Sequence, residues 1–264
     1  MKNIRFYKFH GAGNDFILID NRDNLYELTQ EEIAFCCHRR YGIGADGLII
    51  MEQTDKADFV MHYYNADGIE ATLCGNGSRC ITALASMLHV IDRQCTFIAS
   101  DGEHNATVNH QTEKEWNITV DIKDTKKVKD FEDGHFLNTG SPHFVVAVND
   151  LDNYDVANEG KRLRHDQRFK GGTNVDFVMP TDNGIYVRTY ERGVEAETLS
   201  CGTGVTASAL AWAHLNHWEN GHYEVPVRTP GGNFIISFDK KKDHFKDILL
   251  TGPAKWSFTG EIRL

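Results

Sequence analysis

The feature that most constrains this chain is that it is written twice. Cys74-Gly-Asn-Gly77 runs into Ser78-Arg-Cys-Ile-Thr-Ala-Leu-Ala85, and Cys201-Gly-Thr-Gly204 runs into Val205-Thr-Ala-Ser-Ala-Leu-Ala211. Other landmarks recur in the same order. Gly13-Asn-Asp-Phe-Ile17 answers Ser141-Pro-His-Phe-Val145, Asp46 answers Asp176, and Tyr64-Asn65 answers Tyr190-Glu191. All four spacings fall between 126 and 130 residues. One Cys-Gly-x-Gly motif is weak evidence of anything, but four landmarks in register imply duplication. The 264 residues therefore divide into two similar domains of about 125 residues, within the usual size range.

Each half reads as strands gathered around one long helix. After Cys74, Ile81, Leu84, Ala85 and Leu88 repeat at helical spacing, as do Val205, Ala209 and Trp212 after Cys201. Thr29 followed by Glu32 is a capping box that starts a helix reaching Arg39, and a further helix is expected over 156–163. Elsewhere short alternating runs bounded by Gly, Asn and Asp read as strands, among them 4–9, 48–51, 116–122, 174–179 and 185–190. Short strands are expected to continue to the C-terminus after a hairpin at 229–232, with Lys240-Lys-Lys242 as a solvated tip. The charged, aperiodic stretch 123–134 is the expected junction. The first domain is then 1–122, completed by the last strand at about 253–264, and the second is 123–252. The expected fold is α+β, two pseudo-symmetric domains, each a mostly antiparallel sheet wrapped around a central helix.

The repeated cysteines carry the chemistry. A cysteine at a helix N-terminus sits near roughly half a positive charge. This favours thiolate and predicts a thiol pKa lowered from about 8.5 into roughly 3.5–7.5. Flanking glycines let a ligand approach the backbone closely, and helix N-termini bind anions such as carboxylates. Two such ends turned to one cleft would set an α-carbon between Cys74 and Cys201. One thiolate could remove the α-proton while the other thiol protonates the opposite face. The remaining cysteines, Cys36, Cys37, Cys80 and Cys95, read as buried small hydrophobes. No Cys-x-x-Cys spacing is present, so no metal site and no structural disulfide are expected. A net charge of −10 argues against nucleic acid, and no apolar run approaches the roughly 18–20 residues that span a bilayer. With no signal-like N-terminus, a cytoplasmic protein is expected.

The whole chain resembles the diaminopimelate epimerase family. The resemblance is carried by Lys8-Phe-His-Gly-Ala-Gly-Asn-Asp-Phe16, Gly42-Ile-Gly-Ala-Asp46, the segment from Asn65 to Cys80, Gly172-Thr-Asn-Val-Asp176, Tyr190-Glu-Arg-Gly193 and Cys201-Gly-Thr-Gly204. It implies an isomerase that interconverts LL- and meso-diaminopimelate, a small-molecule substrate, in lysine and peptidoglycan-precursor biosynthesis. It also implies a homodimer and no cofactor. By the resemblance, Cys74 and Cys201 are the acid–base pair, and His143 and Glu191 tune them. Asn14, Asn65, Asn174, Glu191 and Arg192 would hold the two amino-acid ends of the substrate. The backbone of Gly75, Asn76, Gly202 and Thr203 would bind the reacting carboxylate. Gly47 and Ser141 depart from the residues common in the family, Gln and Asn, and both departures concern the distal end of the substrate. The alternatives are another cofactor-independent racemase of this architecture, acting on proline or histidine, and a thiol redox or metal-binding protein.

Overall fold

The computed structural model describes residues 2–71 and 74–264, so Thr72 and Leu73, within the segment leading to Cys74, lie outside the described residues. Two compact units are present, 1–120 with 252–264, and 121–251.

In the first unit, β1 (Asn3–Gly11) turns into antiparallel β2 (Asn14–Asp20). Helix α1 (Gln30–Cys37) carries the chain to β3 (Gly47–Glu52), which lies parallel to β2, and β4 (Phe59–Asn65) pairs antiparallel with β3. The long helix α2 (Gly75–Met87) crosses to β5 (Gln94–Ala99), parallel to β4. Then β6 (Gly102–Gln111) and β7 (Glu115–Ile122) continue antiparallel. The end of the last strand, β16 (His244–Arg263), pairs with β1, joining the first strand of this unit to the C-terminus of the chain.

The second unit repeats the plan. β8 (Lys129–Phe131), β9 (Gly134–Asn138) and β10 (Pro142–Ala147) run antiparallel, and α3 (Val156–Arg164) leads to β11 (Asn174–Thr181), parallel to β10. β12 (Gly184–Glu191) pairs with β11 and carries the short β13 (Ala196–Thr198). Helix α4 (Gly202–Leu215) crosses to β14 (Gly221–Thr229), parallel to β12, followed by antiparallel β15 (Gly232–Lys241) and the first part of β16. Both units therefore share the core order strand–strand–helix–strand–strand–helix–strand–strand, β1 to β6 in the first and, apart from the short β13, β9 to β15 in the second, with parallel pairs only at the two crossovers. The sheet is mostly antiparallel, as expected from the alternating sequence, because only helix-length connections can return a strand in parallel.

The two central helices differ from the one-sided pattern read in the sequence. Twelve of the 13 residues of α2 and ten of the 14 of α4 are buried, because sheet surrounds each helix. Small residues allow that approach, and the hydroxyls bond back into their own helix: Thr82 Oγ1 donates to Ser78 O at 2.8 Å, Thr206 Oγ1 to Gly202 O at 3.0 Å. The outer helices behave conventionally. α1 starts at the Thr29–Glu32 capping box and packs Ile33, Cys36 and Cys37 against Ile17, Leu48 and Ile50. α3 packs Val156 and Leu163 into a cluster with Phe144, Phe169 and Phe177. Burying one such aromatic contributes roughly 1.5–3 kcal/mol.

Three local expectations change. The stretch 123–134, read as the aperiodic junction, contains β8 and a bridge between Thr125 and Phe245. The final strands are long, 10 residues in β15 and 20 in β16. The tip of that hairpin lies at Lys242, in left-handed backbone, whereas Lys240 is buried, its Nζ donating to the Lys242 carbonyl. An ammonium on a four-carbon stem can lie along apolar surface and still reach a carbonyl.

One charged cluster in the first unit contributes to acid sensitivity. Lys8 and Arg39 both bond the Asp15 carboxylate, at 2.6 and 2.7 Å, and Lys8 also reaches the Gly44 carbonyl. Burial pushes the Asp15 carboxyl up, but hydrogen bonds from Arg39 and Lys8 outweigh it and hold it far below the usual range. A carboxyl depressed in the folded state stabilises the fold above its unfolded value of about 3.9, and that contribution is lost as pH falls through the folded value. The loss of thermal stability between pH 5 and pH 2.5 should therefore be smaller in Asp15→Asn than in the wild type. Equal losses in calorimetric scans would show that the cluster does not couple to folding.

Candidate active site

Cys74 and Cys201 occupy the N-cap positions of α2 and α4 with nearly the same backbone, φ −112°, ψ 114° and φ −121°, ψ 116°. Neither side chain caps its own helix. Each cysteine carbonyl instead takes the first helical bond, from Ser78 N at 2.7 Å and Val205 N at 2.9 Å. The first N–H groups of a helix have no intrahelical acceptor, so both ends present donors to an anion. Gly77 and Gly204 leave room close to the helix start, Gly204 the more tightly. A Cβ on Gly77 would lie 2.9 Å from Ile49 Cδ1, and one on Gly204 would lie 2.4 Å from Asp176 Oδ1.

Around Cys74 the first unit builds an amide network. Asn14 Oδ1 accepts from Cys74 Sγ at 3.8 Å and from Asn76 Nδ2 at 3.2 Å, while Asn14 Nδ2 donates to Asp46 Oδ2 at 2.7 Å. Beneath it lies Arg79, fully buried, donating to Gly75 O at 3.0 Å, Asn76 Oδ1 at 2.6 Å and Pro253 O at 3.3 Å. Burial pulls the Arg79 guanidinium down to about 10, opposed by Cys80 and Cys74. This arginine thus fixes the amide that faces Asn14 and adds positive charge behind the helix end. Asn65 ends β4, opposite Gly47, exposed and accepting from the Tyr63 hydroxyl at 3.0 Å.

Around Cys201 the second unit builds a buried relay. Thr203 Oγ1 lies 3.5 Å from Cys201 Sγ and 2.9 Å from His143 Nε2. His143 Nδ1 lies 2.7 Å from Asp176 Oδ2, and both side chains are wholly buried. Thr189 Oγ1 donates to the other Asp176 oxygen at 2.7 Å. An ionised carboxylate only accepts, so Nδ1 donates to Asp176, and Nε2 is the ring nitrogen that faces Thr203 and Ser141 Oγ, the latter 3.0 Å away. Ser141, the departure from the common Asn, thus serves His143 directly. Asn174 is spoken for within its own unit. Its Nδ2 donates to Ser141 Oγ and Pro142 O at 3.0 and 2.9 Å, and its Oδ1 accepts from Arg192 N at 2.8 Å. In this structure Asn174 is the brace that holds the Arg192 backbone; the Arg192 side chain is exposed.

The expected lowered thiol does not hold at Cys201. Burial pushes this thiol well above its ordinary value, and Glu191 and Asp176 add to the effect, against weaker help from Thr203 and the Gly204 N–H. Desolvation and two nearby carboxylates outweigh the helix end. Burial and the two carboxylates therefore favour the protonated form of Cys201. Cys36, Cys37 and Cys95 are pushed up to about 11, 12 and 12, by burial above all, and remain inert free thiols.

Sequence reasoning missed Arg79, Thr203 as a side chain, and Asp176 as more than a landmark. A cation one turn into a helix of small residues was the available signal for Arg79. The duplication marked Asp176, since Asp46 at the matching position also serves a site residue, Asn14.

Comparison with known proteins decides the family. The family model described as diaminopimelate epimerase matches residues 6–128 and 135–257. The chain belongs to the diaminopimelate epimerase family. A diaminopimelate epimerase from Flavobacterium psychrophilum is 43% identical over 258 residues, covering 97% of this chain and 98% of the relative. One from Chlorobaculum tepidum is 40% identical, covering 96% and 99%. Solved structures of the same fold include a phenazine biosynthesis protein from Bacillus anthracis, TM-score 0.81 at 15% identity, covering 100% of both chains. They also include a hydroxyproline epimerase from Agrobacterium vitis, TM-score 0.71 at 13% identity, covering 99% and 93%. At such identities these two likenesses bear on fold alone. The α+β expectation agrees with them. No helix among the described residues is long and apolar enough to cross a membrane.

Proposed function

We propose that this diaminopimelate epimerase family member interconverts LL- and meso-diaminopimelate, with Cys74 and Cys201 as its acid–base pair. The observation that carries the reading is the matched placement of the two cysteines at the N-caps of α2 and α4, in a chain 43% identical to a relative of that name.

The α-hydrogen of an amino acid is a weak acid, so charge must be stabilised as it develops on the carboxylate. Helix-end N–H groups of Gly75, Asn76, Gly202 and Thr203 supply fixed donors, and one such donor contributes about 2.7–4 kcal/mol in comparable sites. One cysteine acts as base and the other as acid, and the reverse reaction exchanges their roles. Burial favours the protonated form of Cys201, which suits the direction in which it delivers a proton. In the other direction the Thr203 hydroxyl beside Cys201, with His143 behind it, supports the thiolate against burial and the charges of Glu191 and Asp176. Asn14 and Asn76 play the corresponding part for Cys74, while Asn65, Asn174 and Arg192 serve the far end of the substrate. The chemistry needs no cofactor. We further read the protein as a cytoplasmic homodimer with no nucleic-acid partner, in keeping with its family and its net charge of −10.

A racemase acting on proline is the second reading, favoured only by the fold shared with the hydroxyproline epimerase. Incubation in deuterated water separates the two. Solvent deuterium should enter Cα of diaminopimelate and not of proline or histidine. Exchange at proline without exchange at diaminopimelate would overturn the assignment.

A further inference from the structure

Two neighbouring side chains of a hairpin meet a third from far along the chain in the second unit, outside the catalytic residues. Asp130 on β8 and His135 on β9 are register partners across a tight hairpin, and His214 lies in the last turn of α4. His135 Nδ1 and His214 Nε2 each lie 2.9 Å from the same oxygen, Asp130 Oδ1. The two rings meet nearly edge to face, 5.7 Å apart at 75°, so their nitrogens converge on that oxygen instead of the rings stacking. The three ligand atoms all lie within 4.8 Å of one another, the one such cluster among the described residues.

We propose that Asp130, His135 and His214 bind one divalent transition-metal cation of the zinc type. Two imidazoles and one carboxylate suit borderline cations and not magnesium or calcium, which prefer all-oxygen sets. Tetrahedral bonds of about 2.0–2.1 Å separate ligand atoms by roughly 3.3 Å. The two 2.9 Å contacts then need to open by a few tenths of an ångström, and the two histidine nitrogens, within 4.8 Å of each other, need to reach the same separation. The cation replaces the N–H protons now shared with Asp130, and water completes the coordination on the exposed side, where Asp130 is 63% accessible. The C-terminal end of a helix favours positive charge, so α4 adds to the attraction. Cys201 and His214 stand at opposite ends of α4, about 20 Å apart at 1.5 Å per residue. The site therefore clamps the β8–β9 hairpin to α4 and takes no part in proton transfer. Local spacing in the sequence gives no hint of it, because the third ligand lies 79 residues from the second.

Cobalt(II) provides the probe, since its visible bands report a nitrogen–oxygen site while thiolate ligation adds intense ultraviolet charge transfer. Titrating the intact protein should give visible bands saturating at one equivalent without the thiolate feature, and zinc should displace them. Asp130→Ala, His135→Ala and His214→Ala should each weaken binding by at least the roughly 10–100-fold that even outer-shell partners of metals cost. Zinc should raise the melting temperature of the wild type, not of Asp130→Ala, an exposed position whose replacement leaves the core untouched. Absent bands, a thiolate-only spectrum, or bands unchanged in Asp130→Ala would overturn the site.

Discussion

Replacing Cys74 or Cys201 with Ala lowers kcat for epimerisation by at least 10²–10⁴-fold, the range that positioned acid–base groups contribute. The two losses are expected to be far from additive, because each thiol is useful only when the other completes the transfer. Cys80→Ala and Cys95→Ala are the controls. Their thiols are buried and pushed up by desolvation, so they should affect stability while leaving kcat within a few-fold. Steady-state kinetics in both directions, on variants whose folding is verified by circular dichroism, read this out. A Cys74 or Cys201 variant with ordinary turnover would remove that residue from the mechanism.

Replacing Asp176 with Asn gives the second largest effect. The carboxylate holds the proton on His143 Nδ1, which leaves Nε2 to accept from Thr203. An amide can donate to Nδ1 and reverse the tautomer; Thr203 would then lose its acceptor and turn its hydroxyl. A comparable change in a buried Asp that orients a catalytic His costs about 10⁴-fold in kcat, and here the expected loss is on the order of 10²–10³-fold because Thr203 stands between His143 and the thiol. The variant also has a signature that a folding defect lacks. Asp176 and Glu191 both raise the Cys201 thiol, so removing either charge must lower it. Alkylation of Cys201 measured against pH should shift to lower pH in Asp176→Asn, and further in Glu191→Gln, since Glu191 is the larger of the two contributors. An unchanged profile would mean that neither carboxylate governs the thiol.

How much of this could be read from the chain depends on the kind of signal. The duplication was legible because Cys74, Cys201 and their neighbours stand in register, and the repeated strand order follows it through both units. The N-cap placement was legible from the glycines and the periodic runs behind them. The state of Cys201 was not, because helix-end charge is a local property, whereas desolvation and the approach of Glu191 and Asp176 depend on tertiary burial. The bonds of the Asn174 amide to Ser141, Pro142 and Arg192 were not legible either, because an Asn in a turn carries no mark of which way its amide faces. Arg79 and the relay through Thr203 were hidden for the same reason. Arg79 reaches back along its own helix to Gly75 and Asn76, but its complete burial is set by the surrounding sheet, and the relay from Thr203 to His143 joins residues 60 apart in the chain.

Epimerisation of LL-diaminopimelate in deuterated water, followed at early conversion, tests the central claim most directly. With two bases, the proton removed stays on one thiol while the other delivers a deuteron from solvent. The meso product should therefore carry one deuterium at the inverted carbon from the first turnovers, and the unreacted LL substrate should remain protonated. Product that retains the substrate's own α-hydrogen, or deuterium entering substrate and product at equal rates, would contradict the two-thiol account.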